Sequence, residues 1–537
     1  MARRAPARPR PVLRRATTLL ILVLLFGAAP ASPARAADPP RVLPQLMEQA
    51  TAQPTTAFRV IVGRANGGDA ADRYVASMGY RKLRDVGGFG FVAEVPGQGL
   101  ADLGRNPAVR WVTIDAPVAP TASGSGGSTS TTTAAIDGSK LATVYDQTLN
   151  APKVWSAGVT GKGVGIAVVD TGVNDALEDF KASSGGGTRV VAKVNTNASA
   201  AAYADGHGHG THVAGIAVGN SLTQSSGSST RGKYIGVAPG ANLVAVRVSD
   251  DQGQAYLSDV IEGIEWVIAN RATYNIRVLN LSLLSTVAES ASTSFLDAAV
   301  ERAWLSGILV VVAAGNLGPN SAYYPPANDP FVVTVGADDP IGTTSRSDDG
   351  MAPWSSYGTT QDGYSKPDVV APGRVIRSNL STKTNVLATQ FPTRIVDTNY
   401  IWLSGTSVAA PMVAGVAALA FQQHPEWTND AVKWLLAGTA TKLGGAQPLP
   451  GQGAGLVDAA ALVTYAGTPG VANSGLPISQ QLVAPSGTTT YASTSWSTTS
   501  WSSTSWSTTS WSTSSWSSTS WSAATPQIAP WAYTAVQ

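Results

Sequence analysis

Five short apolar runs punctuate the middle of the chain: "GVGIAVVD" (163–170), "NLVAVRV" (242–248), "RVLNLSL" (277–283), "GILVVVAA" (307–314) and "FVVTVGA" (331–337). Apolar residues fill nearly every position rather than alternate ones. Parallel strands covered on both faces have this pattern. Between the second and third runs, Leu257, Val260, Ile261, Ile264, Val267 and Ile268 recur at helical spacing. Strands alternating with helices over 150–466 predict a doubly wound α/β domain built on a parallel sheet. Its active site is expected at the carboxyl ends of the strands.

A different pattern precedes it. "FRVIV" (58–62), "FGFVAEV" (89–95) and "VRWVTID" (109–115) read as strands, with helical pieces at 70–79 and 100–106. That order over 58–117 predicts a small α+β module of the ferredoxin-like type. Residues 118–149 connect the two units and include "TASGSGGSTSTTTAA" (121–135), which has nothing to bury.

The ends differ again. Residues 1–36 combine six early arginines, the run "LLILVLLFGAA" and the small-residue site "ARA", the pattern of a secretory signal peptide. A secreted, extracellular protein follows as the expectation. From 467 to 537 the chain is a tail, and Trp496, Trp501, Trp506, Trp511, Trp516 and Trp521 recur in it every five residues. A period of five aligns on neither a strand nor a helix, so the tail reads as an appendage. It reads either as a disordered Ser/Thr tract or as an arm whose spaced indoles contact the polysaccharide of a cell wall and associate the protein with a cell surface.

A net charge of +2 over 537 residues gives no reason to expect nucleic acid as a partner. There is no cysteine, so disulfides, thiol catalysis and thiolate metal sites are excluded. Bound calcium needs only oxygen ligands and is compatible with such a chain, although no stretch marks a site.

The chemistry concentrates in "DGHGHGTHVAG" (205–215), which holds three of the four histidines: His207, His209 and His212. A metal site would use all three, with Asp205 as an oxygen ligand. A catalytic site would use one, with a nucleophile and a carboxylate supplied elsewhere. Two other stretches decide between these. "AVVDTGV" (167–173) puts Asp170 at the carboxyl end of the first buried strand, where a carboxylate can hold an imidazole. "GTSVAAPMVAGVAALA" (405–420) places Ser407 at the start of a helix that is apolar or small on every face and therefore buried. The dipole and free N–H groups of that helix point at whatever Ser407 attacks.

With "VVDTGV", "HGTHVAG", "AAGN" and "GTSVAAPMVAG" in this order, the chain resembles the subtilisin-like serine proteases, or subtilases, over about 150–466. The resemblance implies a serine endopeptidase that acts on protein and peptide substrates as a monomer. No cofactor is required, and structural calcium is allowed. Ser407 takes the place of the nucleophile, His209 of the base and Asp170 of its orienting carboxylate. Asn316 matches the oxyanion donor. Ser282, Leu283 and Leu284, with Ala313, Ala314 and Gly315, match the segments lining the substrate cleft. His212 is expected to support the helix behind the base, and His207 to be a loop residue near the cleft. The 58–117 module corresponds to the family's propeptide, an inhibitor and folding aid removed by self-cleavage between about 116 and 140. Leu284 departs from the family pattern, which commonly has glycine there, and adds bulk where substrate backbone approaches.

Overall fold

The computed structural model of the chain describes residues 41–482 apart from 66–67, 89, 121–135, 183–186, 201 and 446. The signal-like segment, the glycine–serine linker and the tryptophan repeats lie outside the described residues. None of the described helices is long and apolar enough to cross a membrane.

Residues 41–114 form α1 (Pro44–Ala52), β1 (Ala57–Arg64), α2 (Ala70–Ser77), β2 (Arg81–Val86), β3 (Gly90–Pro96), α3 (Gly97–Arg105) and β4 (Val109–Ile114). The four strands order as β2-β3-β1-β4, with β1 antiparallel to both neighbours. After α1 this is the ferredoxin-like β-α-β-β-α-β path. The module begins earlier than 58, because Leu46 and Ala50 of α1 are buried in its core with Val60, Phe91 and Leu100. Strand β2 escapes a hydrophobic reading. It is an edge strand whose Arg81, Lys82 and Asp85 face solvent.

The larger body is built on an eight-stranded sheet. Its strands are β6 (Gly165–Asp170), β7 (Val190–Asn195), β8 (Asn242–Arg247), β10 (Ile276–Leu281), β12 (Leu309–Ala313), β13 (Val333–Asp339), the short β14 (Gly350–Met351) and β15 (Val369–Pro372). The path runs β14-β13-β12-β10-β6-β8-β7, with β15 also on β13, and only β14 is antiparallel. All five apolar runs are strands of this sheet. Helices α4 (His209–Val218), α5 (Leu257–Asn270), α6 (Phe295–Leu305), α7 (Thr406–Gln423) and α8 (Asn429–Gly438) cover it. A small antiparallel sheet of β16 (Ile376–Asn379) and β17 (Tyr400–Leu403) backs α4. The chain leaves β6 toward β8 on one side and returns to β10 on the other. The crevice at this switch point, beyond the carboxyl ends, is where such folds place their sites.

The packed body extends past 466. Ser479 N–H donates to Glu301 at 2.6 Å, and Gln480 N–H donates to the Ser292 carbonyl at 2.8 Å. A tail starting at 467 is therefore too early a boundary.

The small module sits against the body through its sheet. Arg84 binds Asp259 at 2.6 Å and the Ser258 hydroxyl at 2.7 Å, while Asp115 accepts from Ser258 N–H at 2.9 Å. The Asp115 carboxylate meets the first turn of α5, where unpaired N–H groups and the helix dipole favour negative charge. Beyond Asp115 the chain forms β5 (Pro117–Pro120). It lies between β9 (Ala255–Tyr256) and β11 (Leu283–Ser285), antiparallel to both.

Candidate active site

Asp170 ends β6 and His209 opens α4, and both are almost wholly buried. Asp170 Oδ1 lies 2.7 Å from His209 Nδ1 and also accepts from Thr171 N–H at 2.7 Å. A carboxylate at Nδ1 puts the proton of neutral His209 there and leaves the Nε2 lone pair as a base. Nε2 is buried and has no hydrogen-bond partner among the described residues.

The glycines around the histidines have a local reason. Asp205 Oδ2 accepts from Thr211 N–H at 2.8 Å, and its Oδ1 accepts from Gly208 N–H at 2.7 Å and the Thr171 hydroxyl at 2.8 Å. This cap draws the loop tightly onto the start of α4. Gly208 takes φ 103°, and a Cβ there would come within 2.6 Å of Asn385 Nδ2. Asp205, the oxygen ligand of the metal reading, is spent on these donors.

The ring of His207 lies 6.3 Å from that of His209, tilted by 54°. His212 Nε2–H faces the carbonyls of Ile376 and Ile401, each at 3.1 Å, and ties α4 to β16 and β17. His207 belongs to the loop but is only 2% exposed, packed beneath Gly253. Burial holds the pKa of each down to about 3, so both are neutral. Among the described residues no group of three His, Asp or Glu side chains could hold a metal ion.

Ser407 is the second residue of α7, which packs against α4. The N–H groups of this first turn have no acceptor within the helix. Gly405 enters the helix at φ 153°, and its N–H is held by the Gly373 carbonyl at 2.8 Å. Ser282 donates its hydroxyl to the Ser407 carbonyl at 2.8 Å and accepts from Asn280 Nδ2 at 2.9 Å. Its side chain is fully buried, and the bond to Ser407 ties the end of β10 to the start of α7. Asn316 Oδ1 accepts from the amide of Thr406 at 2.9 Å and from its hydroxyl at 3.1 Å. A backbone N–H can only donate, which identifies Oδ1 as the acceptor and leaves Nδ2 as the group that can donate elsewhere. Thr406 also accepts from Gly315 N–H at 2.9 Å, locking the "AAGN" turn to α7.

Leu283 lies on one side of β5. It lines a narrow slot with Val118, Asp170, Thr171, Val248 and Ala255. Leu284 is buried on the other side, against Gly315. Ala313 and Ala314 lie just behind that glycine, and Ala314 N–H is paired with the Val335 carbonyl at 2.9 Å. Thr406 and Asp205 act in the site through bonds that no spacing motif announces.

Asp170 and His209 meet at the carboxyl edge of a doubly wound sheet, and Ser407 opens a helix packed against the one that His209 starts. Comparison with known proteins identifies the family. Residues 161–455 match the subtilase family model, and the chain belongs to that family. It is 41% identical over 286 residues to serine protease AprX of Bacillus subtilis (strain 168), covering 52% of this chain and 61% of that one. Subtilisin E of the same strain is 37% identical over 299 residues, with 55% and 65% covered. Subtilisin BL of Lederbergia lenta is 36% identical over 313 residues, with 58% and 95% covered. The chain thus spans somewhat under two thirds of AprX and subtilisin E. In fold it is similar to fervidolysin from Fervidobacterium pennivorans, a keratinolytic enzyme related to subtilisin. The TM-score is 0.59 at 21% identity, over 77% of this chain and 62% of that one.

Proposed function

We propose that the protein is a secreted serine endopeptidase made as a self-processed precursor. Ser407 Oγ attacks the carbonyl of the scissile bond while His209 Nε2 takes its proton. Asp170 holds the ring and stabilises the imidazolium. Charge developing on the carbonyl oxygen is met by Asn316 Nδ2 and the Ser407 N–H. His209 then returns the proton to the leaving amine. A water activated by the same base releases the acyl group. The observation that carries this reading is the buried 2.7 Å contact between His209 and Asp170, which sets the tautomer the base requires.

Residues 41–120 act as the inhibitor. In support, β5 fills the centre of the sheet formed by β9 and β11, as an extended substrate would. The tryptophan tail is proposed as an adhesive arm for polysaccharide, tested by pull-down on insoluble cell wall with and without residues 487–537. Structural calcium is compatible with the fold and is tested by thermal stability with and without chelator.

The deciding experiment for the enzyme is labelling with a fluorophosphonate, which reacts only with an activated serine. Labelling of the wild type and none of Ser407→Ala is expected. An unlabelled wild type that has shed residues 41–120 rejects the mechanism.

A further inference from the structure

The cleft strand and its neighbours carry a reading of substrate class, which rests on the site proposed above. β5 pairs with β11 in the register Leu283 to Pro120, Leu284 to Ala119 and Ser285 to Val118. Directly opposed residues of an antiparallel pair point to the same face, and successive residues to opposite faces. Val118 and Leu283 therefore share one face, where Val118 is 1% exposed. Ala119 and Leu284 share the other.

A substrate strand continuing past the position of Pro120 brings its next residue opposite Ser282, whose hydroxyl is bonded to the Ser407 carbonyl. That residue is the one whose carbonyl reaches the nucleophile. By alternation its side chain falls on the face of Ala119 and Leu284. Its natural space is the gap between β11 and the Ala313–Asn316 turn.

Leu284 stands in that gap. A Cβ on Gly315 would come within 2.6 Å of Leu284 Cδ1, so the leucine side chain crosses from β11 to touch the glycine backbone. The Ser356 hydroxyl lies 3.0 Å from the same point, and Ser356 N–H donates to the Gly315 carbonyl at 2.9 Å. Room for a large side chain is therefore missing on this face, and close-packed surroundings resist added volume.

We infer that Leu284 restricts the residue on the acyl side of the cut bond to a small side chain: Gly, Ala, Ser or Thr. The chain's own sequence after Pro120 is Thr121-Ala122-Ser123-Gly124, in which every side chain is small.

The test uses the full chain after maturation and the peptides Val-Ala-Pro-X-p-nitroanilide, with X as Ala, Thr, Leu or Phe. The wild type is expected to favour Ala over Phe in kcat/KM by at least about tenfold. Leu284→Gly is expected to raise the Phe-to-Ala ratio by at least about tenfold, and Leu284→Ala to raise the Leu-to-Ala ratio. A wild type that cleaves after Phe as readily as after Ala overturns the inference even if neither variant folds. Unchanged ratios in folded variants overturn it too. Fluorophosphonate labelling separates the two levels. A labelled enzyme without the preference removes only the role of Leu284, whereas an unlabelled, inactive one removes the catalytic reading and this inference with it.

Discussion

Thr406 donates both its amide and its hydroxyl to Asn316 Oδ1, so the residue beside the serine aims the amide proposed to stabilise the oxyanion. Asn316→Ala is expected to lower kcat by roughly 10²–10³ with KM nearly unchanged, the magnitude known for loss of such a donor in a subtilisin. Thr406→Val keeps the amide bond and loses the hydroxyl one. Its kcat is expected to fall by about 3–10-fold, the value of one neutral hydrogen bond. A defect in KM alone for either variant removes the orienting role.

Ser407→Ala is expected to accumulate as a precursor that still carries residues 41–120. The same nucleophile is proposed for maturation and for substrates. Mass spectrometry of protein made in a host lacking other secreted proteases reads the result directly. Normal processing of the variant refutes self-cleavage.

Acid should weaken the fold through His207 and His212. Both titrate near 3 in the native protein, pushed down by burial, against about 6.5 in an unfolded chain. As pH falls, the unfolded state takes up protons first. Their neutral burial therefore costs nothing above about 6.5 and progressively more stability down to about 3. At pH 4.5 the loss is about 2–3 kcal/mol for each histidine. Denaturation of the Ser407→Ala protein at pH 7 and 4.5 measures it, and His207→Phe should remove about half of the pH-dependent part.

Glu289 ties the small module to pH in the opposite sense. It is buried between Thr113 of β4, which donates its hydroxyl, and the turn before α6, with Asp297 nearby. Burial pushes its pKa up to about 7. Release of the module would expose it and let it ionise near its ordinary value. The bound state therefore holds its proton longer, and binding weakens as pH rises from about 4.5 to about 7, by about tenfold to a hundredfold. Gel filtration of the cleaved, non-covalent complex at pH 5 and 8 should show retention only at the lower pH. Glu289→Gln should abolish the difference.

Five of the eight strands of the large sheet, and the residues proposed for catalysis, are legible in the sequence because each is announced locally. Buried parallel strands are continuous apolar runs, and Asp170, His209 and Ser407 sit in short motifs. Other features depend on distant partners. β2 is charged on its exposed positions and so lacks an apolar run. The burial of His207 depends on Gly253, far along the chain. β5 carries proline at both ends, which argues against a central strand, yet it is central in its sheet because Val118 and Ala119 provide the inner pairs. Thr406 reads as an ordinary helix-start residue until Asn316 is seen against it.

On the proposed reading, the position of β5 constrains how this protein can change over generations. Cleft and strand are encoded in one gene, and the strand is the first guest the cleft must accommodate. A substitution that alters the cleft near Leu283 or Ala255 is tested on Val118 before it meets any foreign protein. If the two no longer fit, the molecule remains a precursor and the new preference is never expressed. Shifts in diet therefore require paired substitutions, one in the cleft and one in residues 117–120, and the internal strand serves as a heritable record of what the cleft accepts.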